Sequence, residues 1–575
     1  PEPPSTSSLD TQAQSTTARR VNAPYDVPGE EAAVFWFGRV TPTENYVDVR
    51  VGYRDEYFYV HVAAFDRLLW YDTSPSPEDL TSWDSATLFV NTDGNVGSTL
   101  DASAFRFDAQ LNWWEDRDEY QASYVGDGNS WMAATLPFTT TSFWAGNAPN
   151  DGQNDRGWAV IYYIPYESLG MSGPPEPDTI WGIALSLHDR DDAAGTNIPD
   201  QIWPETLISE QPATWGQLSF GLPTYTPPPA TPDETITIRH GLNGADVPDA
   251  DVGGSSNCGW PAAPEYFPTW GELNYAGKTF LNIQNLGIIG DWPCVSKYYV
   301  TFPLQVLPSD TTIISATLTL HQTGNAGQGK DPGPLPSLIQ VLTVEEDWEE
   351  ATITWNNAPM AQQNISASWA YPFDSAPEWP GVPREWDVSL AVAEAHAAGA
   401  PLRLALYEAD WALHAGKYFS TSDIPEGSQE ARPTLTVSLG RPLALVEKTV
   451  IPVSGHLNDA INYSLGFVGT GQTLTLTDTL PTGVSAPGHF VLNGTSVPPH
   501  YDDSHHRLTW SGSPAPKNEV TIGYVVTVTT DISMALVNTA ELHEAGGSAS
   551  TAQAVAIANP FQIYMPLVLK LSLIH

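Results

Sequence analysis

Asn91-Thr92-Asp93-Gly94-Asn95 sets side-chain oxygens at alternating positions around a glycine that permits a tight turn, the donor type that calcium requires. His188-Asp189-Arg190-Asp191-Asp192 is a second acidic turn. A structural calcium is therefore expected on Asn91, Asp93 and Asn95, with Asp189 and Asp191 as a second group. Ordinary Asx turns on a solvated surface are the competing reading. A different chemistry is suggested by the tryptophans, which number 21. Sugar C–H faces stack on aromatic rings while hydroxyls need amides and carboxylates nearby. Trp70, Tyr71, Trp113, Trp114, Trp131, Trp144 and Trp203 are the candidate platforms. In Trp113-Trp114-Glu115-Asp116, read as a strand, adjacent side chains face opposite ways, so one indole faces solvent. A core Trp beside a rim Trp is the plainer alternative.

Catalytic signatures are absent: no GxSxG, HExxH, P-loop, GxGxxG or framed Cys–His pair occurs. The expectation is a protein that is not an enzyme. A glycosidase needs only two carboxylates close in space, so a polysaccharide-active enzyme remains a distant alternative.

Charge narrows the partners. With 67 acidic against 23 basic residues, the formal net charge of −44 repels nucleic acid and anionic membranes. It equally opposes acidic polysaccharides unless calcium bridges. No apolar run reaches a membrane span. The start at Pro1 rather than Met fits an exported chain whose signal has been removed, so an extracellular place on a bacterial surface or matrix is expected. Cys258 and Cys294 are the only cysteines. They read either as a disulfide closing a long loop or as two unrelated thiols; zinc spacing is absent.

These residues must be positioned by strands, because alternating apolar runs broken by Gly, Pro, Ser and Thr dominate. The length predicts several domains, and the boundaries follow composition. Residues 1–19 form a low-complexity tail, 20–221 a first sandwich and 222–234 a stiff Pro-rich spacer. A jelly roll follows over 235–440, a sandwich over 441–559 and an apolar strand over 560–575. The predicted class is all-β: three sandwich or jelly-roll domains in series.

Three resemblances follow this division. Tyr57–Asp66, Ser82–Asn95, Trp158–Tyr163, Trp181–Asp191 and Ala213–Phe220 run in the order of the family 9 carbohydrate-binding modules and related DOMON-like sandwiches, which the first domain resembles. The resemblance implies a tryptophan pair around a terminal sugar. In the second, Trp348 to Pro359 reads WEEATITWNNAP: Thr352 to Trp355 alternate as a half-buried strand, and Asn356-Asn357-Ala358-Pro359 turns. With Tyr298–Leu304, Ile313–Leu320, Trp386–Ser389, Phe419–Asp423 and Arg432–Val437, this resembles the DNRLRE family of secreted jelly-roll modules, some of which bind carbohydrate.

The third domain carries Val446–Thr449, Ile461–Ser464, Leu476–Pro481 and Val537–Ala540, and is similar to the DUF11 immunoglobulin-like stalk modules. Some surface immunoglobulin-like stalks hold an internal Lys–Asn isopeptide. The resemblance would place it at Lys448 and Asn538, with Asp478 as the assisting acid. An exposed lysine and a turn asparagine are the alternative. Beyond this domain, Phe561, Ile563, Met565, Leu567, Leu569, Leu571 and Leu573 occupy every second position, the period of a strand with one apolar face. It either completes the third domain or adds a strand to another copy.

Together these readings predict a non-catalytic surface protein that binds polysaccharide or glycoconjugate in adhesion or matrix attachment. A structural subunit of a fibre, sheath or surface layer, assembled by strand donation from the tail, is the alternative.

Overall fold

The structure, a computed structural model, describes residues 18–25, 31–94, 99–254, 263–285, 294–309, 311–410, 412, 415–442, 444–545 and 549–560. The fold is all-β, with two short α-helices among the described residues, Ala263–Thr269 and Ser389–Ala398. No helix among the described residues is long and apolar enough to cross a membrane. Contacts divide the chain into two compact units. One takes residues up to 226 with 235–307 and 315–437; the other takes the chain after 437 with 227–234 and 308–314.

In the first unit, runs of aromatic and β-branched residues make long strands. One five-stranded antiparallel sheet runs Ala33–Gly38, Tyr46–Tyr53, Tyr57–Phe65, Gly157–Pro165, Thr139–Ala145. Facing it, Gly216–Phe220, Ile180–His188, Ser85–Asn91, Ala104–Gln110, Gln121–Gly126 and Trp131–Ala134 pair in that order. Phe35, Val49, Val60, Trp158, Leu88 and Trp181 fill the space between.

The predicted separation of first and second domains does not hold, because their strands form one sheet. Arg20–Ala23 runs parallel to Gly216–Phe220, and Arg20 also pairs with Gln363 of the strand Gln363–Ala370. The sheet then continues through Ser337–Thr343, Leu402–Glu408, Ser296–Phe302 and Asp249–Gly253, thirteen strands in all. Asn22 and Asn364 lock the join: the Asn22 backbone N–H donates to Asn364 Oδ1 at 2.7 Å, and Asn364 Nδ2 donates to the Asn22 carbonyl at 2.9 Å. Arg19, placed by sequence in the tail, is buried and ion-paired to Glu205 and Glu346 at 2.6 and 2.7 Å. The Pro-rich stretch is not a spacer throughout either, since Ala230–Arg239 is a strand.

Side chains join the two halves as well. Every residue of Tyr46–Tyr53 is buried, so that strand has a core on both faces. Its outer face and that of Ala33–Gly38 share a cluster with Tyr299, Trp355 and Tyr407. Lys297 is buried inside this cluster, its Nζ 4.1 Å from the Trp36 ring centre and 3.9 Å from that of Trp355. Burial holds this amine well below its ordinary pKa.

The stretch Trp348–Pro359 is half-buried as predicted but is not a strand. Ile353 and Trp355 are in the core, yet the backbone turns: Ile353 N–H donates to Glu349 O at 2.9 Å, and Thr354 N–H to Asn357 Oδ1 at 2.6 Å. Asparagine amides satisfy the backbone locally and displace the ladder. Asn356 reaches across instead, accepting from Val40 N–H at 2.8 Å and donating to Val40 O at 3.0 Å.

The second unit is a sandwich of two sheets. One runs Val446–Ile451, Ala460–Val468, Glu519–Thr527, Gly488–Asn493. The other runs Ser454–Gly455, Ala549–Ala558, Met534–Glu544, Leu474–Thr479, Arg507–Gly512, His500–Asp502. Burial alternates strictly along Val446–Ile451 and Leu474–Thr479, as one buried and one solvated face require.

Candidate functional site

Two constellations in the first unit could do chemistry, one aromatic and one acidic. Ala104–Gln110 ends at a bend, and Trp113 and Trp114 lie on that bend rather than in a strand. Strand alternation therefore does not apply, and both indoles reach solvent: Trp113 is 36% exposed and Trp114 84%. Their ring centres are 5.9 Å apart, and Trp144 packs edge-on against Trp113 at 5.3 Å. The bend is held from below by one carboxylate. Glu115 accepts the backbone N–H groups of Trp113 and Trp114 at 3.1 and 3.0 Å and the Tyr71 hydroxyl at 2.9 Å. Burial pushes this carboxyl upward, but the hydrogen bonds outweigh it and hold the group below its ordinary pKa. Asn112 Nδ2 donates to Glu115 O at 2.9 Å and Arg117 Nη1 to Asn112 Oδ1 at 2.6 Å. An exposed aromatic surface on a pre-ordered backbone is suited to stacking against a sugar ring.

The other aromatic candidates are placed differently. Trp70 and Trp144 are half-buried, and Trp131 stacks on Trp215 at 6.4 Å. Tyr71 is buried and serves Glu115. Trp203 is a core residue, 4.1 Å from Phe35 between ring centres, and is no platform.

The acidic constellation is Asp66, Asp84 and Asp189, whose carboxylate oxygens lie within 4.8 Å of one another, all three residues buried. Each flanks a strand end. Ser85 pairs with His188, which sets Asp84 beside Asp189, and Asp66 follows Tyr57–Phe65 in the opposite sheet. Asp84 accepts from Trp70 and Arg190 N–H at 2.6 and 2.8 Å. Asp66 accepts from Leu68 N–H and Trp158 Nε1, each at 3.1 Å. Asp189 Oδ1 is buried with no hydrogen-bond partner among the described residues. Burial, reinforced by the neighbouring carboxylates, pushes Asp189 up to about 7 and holds Asp66 and Asp84 well above their ordinary pKa. Three convergent buried carboxylates must share protons or hold a cation, and an all-oxygen set suits a hard one.

This differs from the predicted metal groups. Asp189 takes part, but Asp191 is not one of the converging three. Asn91 is buried at a strand end, its Oδ1 accepting Asp93 N–H at 2.8 Å and the Ser103 hydroxyl at 3.4 Å: an Asx turn. Asn95 lies outside the described residues. Sequence reasoning missed Asp66 and Asp84. Their signal was faint, an aspartate directly abutting an apolar strand, and only the strand pairing brings them together.

Cys294 is disulfide-bonded; Cys258 lies outside the described residues, as do Phe561, Ile563, Met565, Leu567, Leu569, Leu571 and Leu573. In the second unit Lys448, Asp478 and Asn538 are buried and adjacent, with Lys448 Nζ 2.6 Å from Asp478 Oδ2.

Residues 269–421 match the family model of carbohydrate-binding module family 96, and the chain carries a module of carbohydrate-binding type there. That stretch exposes Tyr371 and Trp379, 55% and 53%, two aromatic side chains not singled out from sequence. Each precedes a proline and lies outside the strands. No curated protein matches the chain. Among solved structures, it is similar to a family 9 carbohydrate-binding module from Caldicellulosiruptor kristjanssonii in complex with cellotriose, at 14% identity over 36% of this chain and 100% of that one, TM-score 0.26. It is also similar to the collagen-binding domain of a Staphylococcus aureus adhesin (11% identity, 19% and 95% covered, TM-score 0.16). The N-terminal domain of a Streptococcus gordonii adhesin is a third (8% identity, 94% and 100% covered, TM-score 0.18).

Proposed function

We propose that this chain is a non-catalytic extracellular protein that attaches a bacterial surface or matrix to neutral carbohydrate. The carrying observation is the Trp113–Trp114 surface, solvent-facing and fixed by Glu115. Large indoles left exposed on a rigid bend are what a sugar-stacking face requires, and no packing role accounts for Trp114. The family 96 match over 269–421 supports the same class of ligand. In this reading the second domain is of the DNRLRE type and the third is a DUF11-like stalk. The charge of −44 favours neutral over acidic glycans.

Calcium belongs to this proposal as a structural ion. Asp66, Asp84 and Asp189 would hold it, tying the ends of two facing sheets together, with Asp84 also accepting the Trp70 backbone N–H.

Binding of the full chain to cellulose-type and other neutral oligosaccharides, by calorimetry or a glycan array, tests the reading. Trp113→Ala with Trp114→Ala should remove the affinity without unfolding the chain. Silence of the wild-type chain toward neutral glycans at high concentration overturns it.

A further inference from the structure

The alternation of the second unit reserves inward positions for apolar side chains, and besides Glu544 at the end of its strand three of them are polar. Lys448 lies inward on Val446–Ile451, Asp478 on Leu474–Thr479 and Asn538 on Met534–Glu544. The first belongs to one sheet and the other two to the facing sheet. The Lys448 and Asp478 side chains are fully buried, and so is Asn538. Tyr524 sits among them: its hydroxyl donates to Asp478 Oδ2 at 2.5 Å, accepts from Asn538 Nδ2 at 2.7 Å and lies 3.4 Å from Lys448 Nζ. One hydroxyl thus holds the lysine amine and the asparagine amide as neighbours.

An ordinary buried ion pair does not account for the rest. Asp478 Oδ1 and Asn538 Oδ1 are both buried without a hydrogen-bond partner among the described residues. Such atoms are costly and call for an explanation. We propose that Lys448 and Asn538 are joined by a covalent isopeptide bond across the sandwich.

The required states are those the site favours. Burial lowers the Lys448 amine to about 8, and burial raises the Asp478 carboxyl against the opposing pull of Lys448. Transfer of one proton from lysine to aspartate gives a neutral amine beside a carboxylic acid. The Nζ lone pair attacks Asn538 Cγ while Asp478 hydrogen-bonds the Oδ1 that gains charge. The Nζ–Cγ bond forms and the Cγ–Nδ2 bond breaks. Nδ2 takes up a proton, relayed from the amine through Asp478, and leaves as ammonia. One amine and one primary amide become one secondary amide and ammonia, with no oxidant or co-reactant. The finished amide gives Asn538 Oδ1 the Asp478 proton as its partner.

The inference is independent of carbohydrate binding. It is tested on the full chain, after reduction of the disulfide, by intact mass and peptide mapping. The expected result is a mass short by one ammonia and a branched peptide joining the Lys448 and Asn538 segments. Lys448→Met and Asn538→Ala should each restore the full mass and the linear peptides. The wild-type map decides even if those variants fail to fold. Full mass with linear peptides overturns the proposal. So does an ammonia deficit without the branch, which would report a backbone succinimide instead.

Discussion

The two units bury polar clusters of opposite kinds. In the first, Asp66, Asp84 and Asp189 bring like charges together, opposed at Asp189 by the charge of Arg190. In the second, Lys448, Asp478 and Asn538 bring together an amine, an acid and an amide that can neutralise and even join one another. Both break the apolar rule for a core, and both tie one sheet to the other. The first cluster needs something from outside the chain, whereas the second is complete in itself. Solution conditions should therefore govern one and not the other.

Removing half of the self-sufficient cluster should have the largest effect. Lys448→Met leaves Asp478 buried without its partner, at a cost of about 3–5 kcal/mol. Hydrogen exchange of Ala460–Val468 and Glu519–Thr527 in the full chain would report it. The double variant Lys448→Met, Asp478→Leu should recover only the share due to the stranded carboxylate, since the Lys448–Asn538 bond is missing from both variants. Unchanged protection in the single variant would mean that the pair contributes nothing.

The acidic trio should respond in the other sense. With calcium at a hundredfold excess over its Kd the fold gains about 2.7 kcal/mol, and Asp84→Asn should abolish that gain. In chelator the same variant should match or exceed the wild type, because one of three repelling carboxylates is gone. Coincident melts with calcium and with chelator would remove the ion from the account.

A smaller effect follows from pH. The raised native pKa values mean that the fold keeps protons which the unfolded chain has released. The trio's contribution is whole below 3.8 and declines as pH rises to about 7, so the metal-free fold loses stability over that window. Calcium competes with those protons, and its stabilisation should grow from pH 5 to pH 8. A calcium-induced Tm shift that is the same at both would contradict this coupling. The smallest stability change belongs to Trp114→Ala, within about 0.5 kcal/mol for so exposed a side chain. Its effect should appear in glycan binding alone.

Sequence pattern located most strands, because alternation and β-branched content are local. Tyr57–Phe65 and Ser85–Asn91 lie within the runs read for them, and Ile313–Leu320 within the longer strand Thr312–Asn325. Lys448, Asp478 and Asn538 were singled out through the resemblance to surface immunoglobulin-like stalks, and the structure buries them side by side. What failed depends on pairing at long range. Asp66 and Asp84 are 123 and 105 positions before Asp189 and meet only through the facing and paired strands. The shared sheet was invisible because it rests on Arg20 opposite Gln363 and on Asn22 with Asn364. One of Trp113 and Trp114 was expected to face solvent, from a strand geometry that the bend does not have, and both reach it.

The fused sheet bears on how tightly such a chain could hold an insoluble surface. Were the Trp113–Trp114 face and an exposed aromatic of the family 96 match, such as Trp379, carried on separate beads, a flexible tether would let each find its own sugar. Within one compact unit they cannot reorient independently. Once the first is engaged, the second meets its ligand at an effective concentration fixed by geometry rather than by linker length. Avidity would then be high for an array whose repeat matches that geometry and vanish for one that does not, so the body would act as a ruler of glycan spacing.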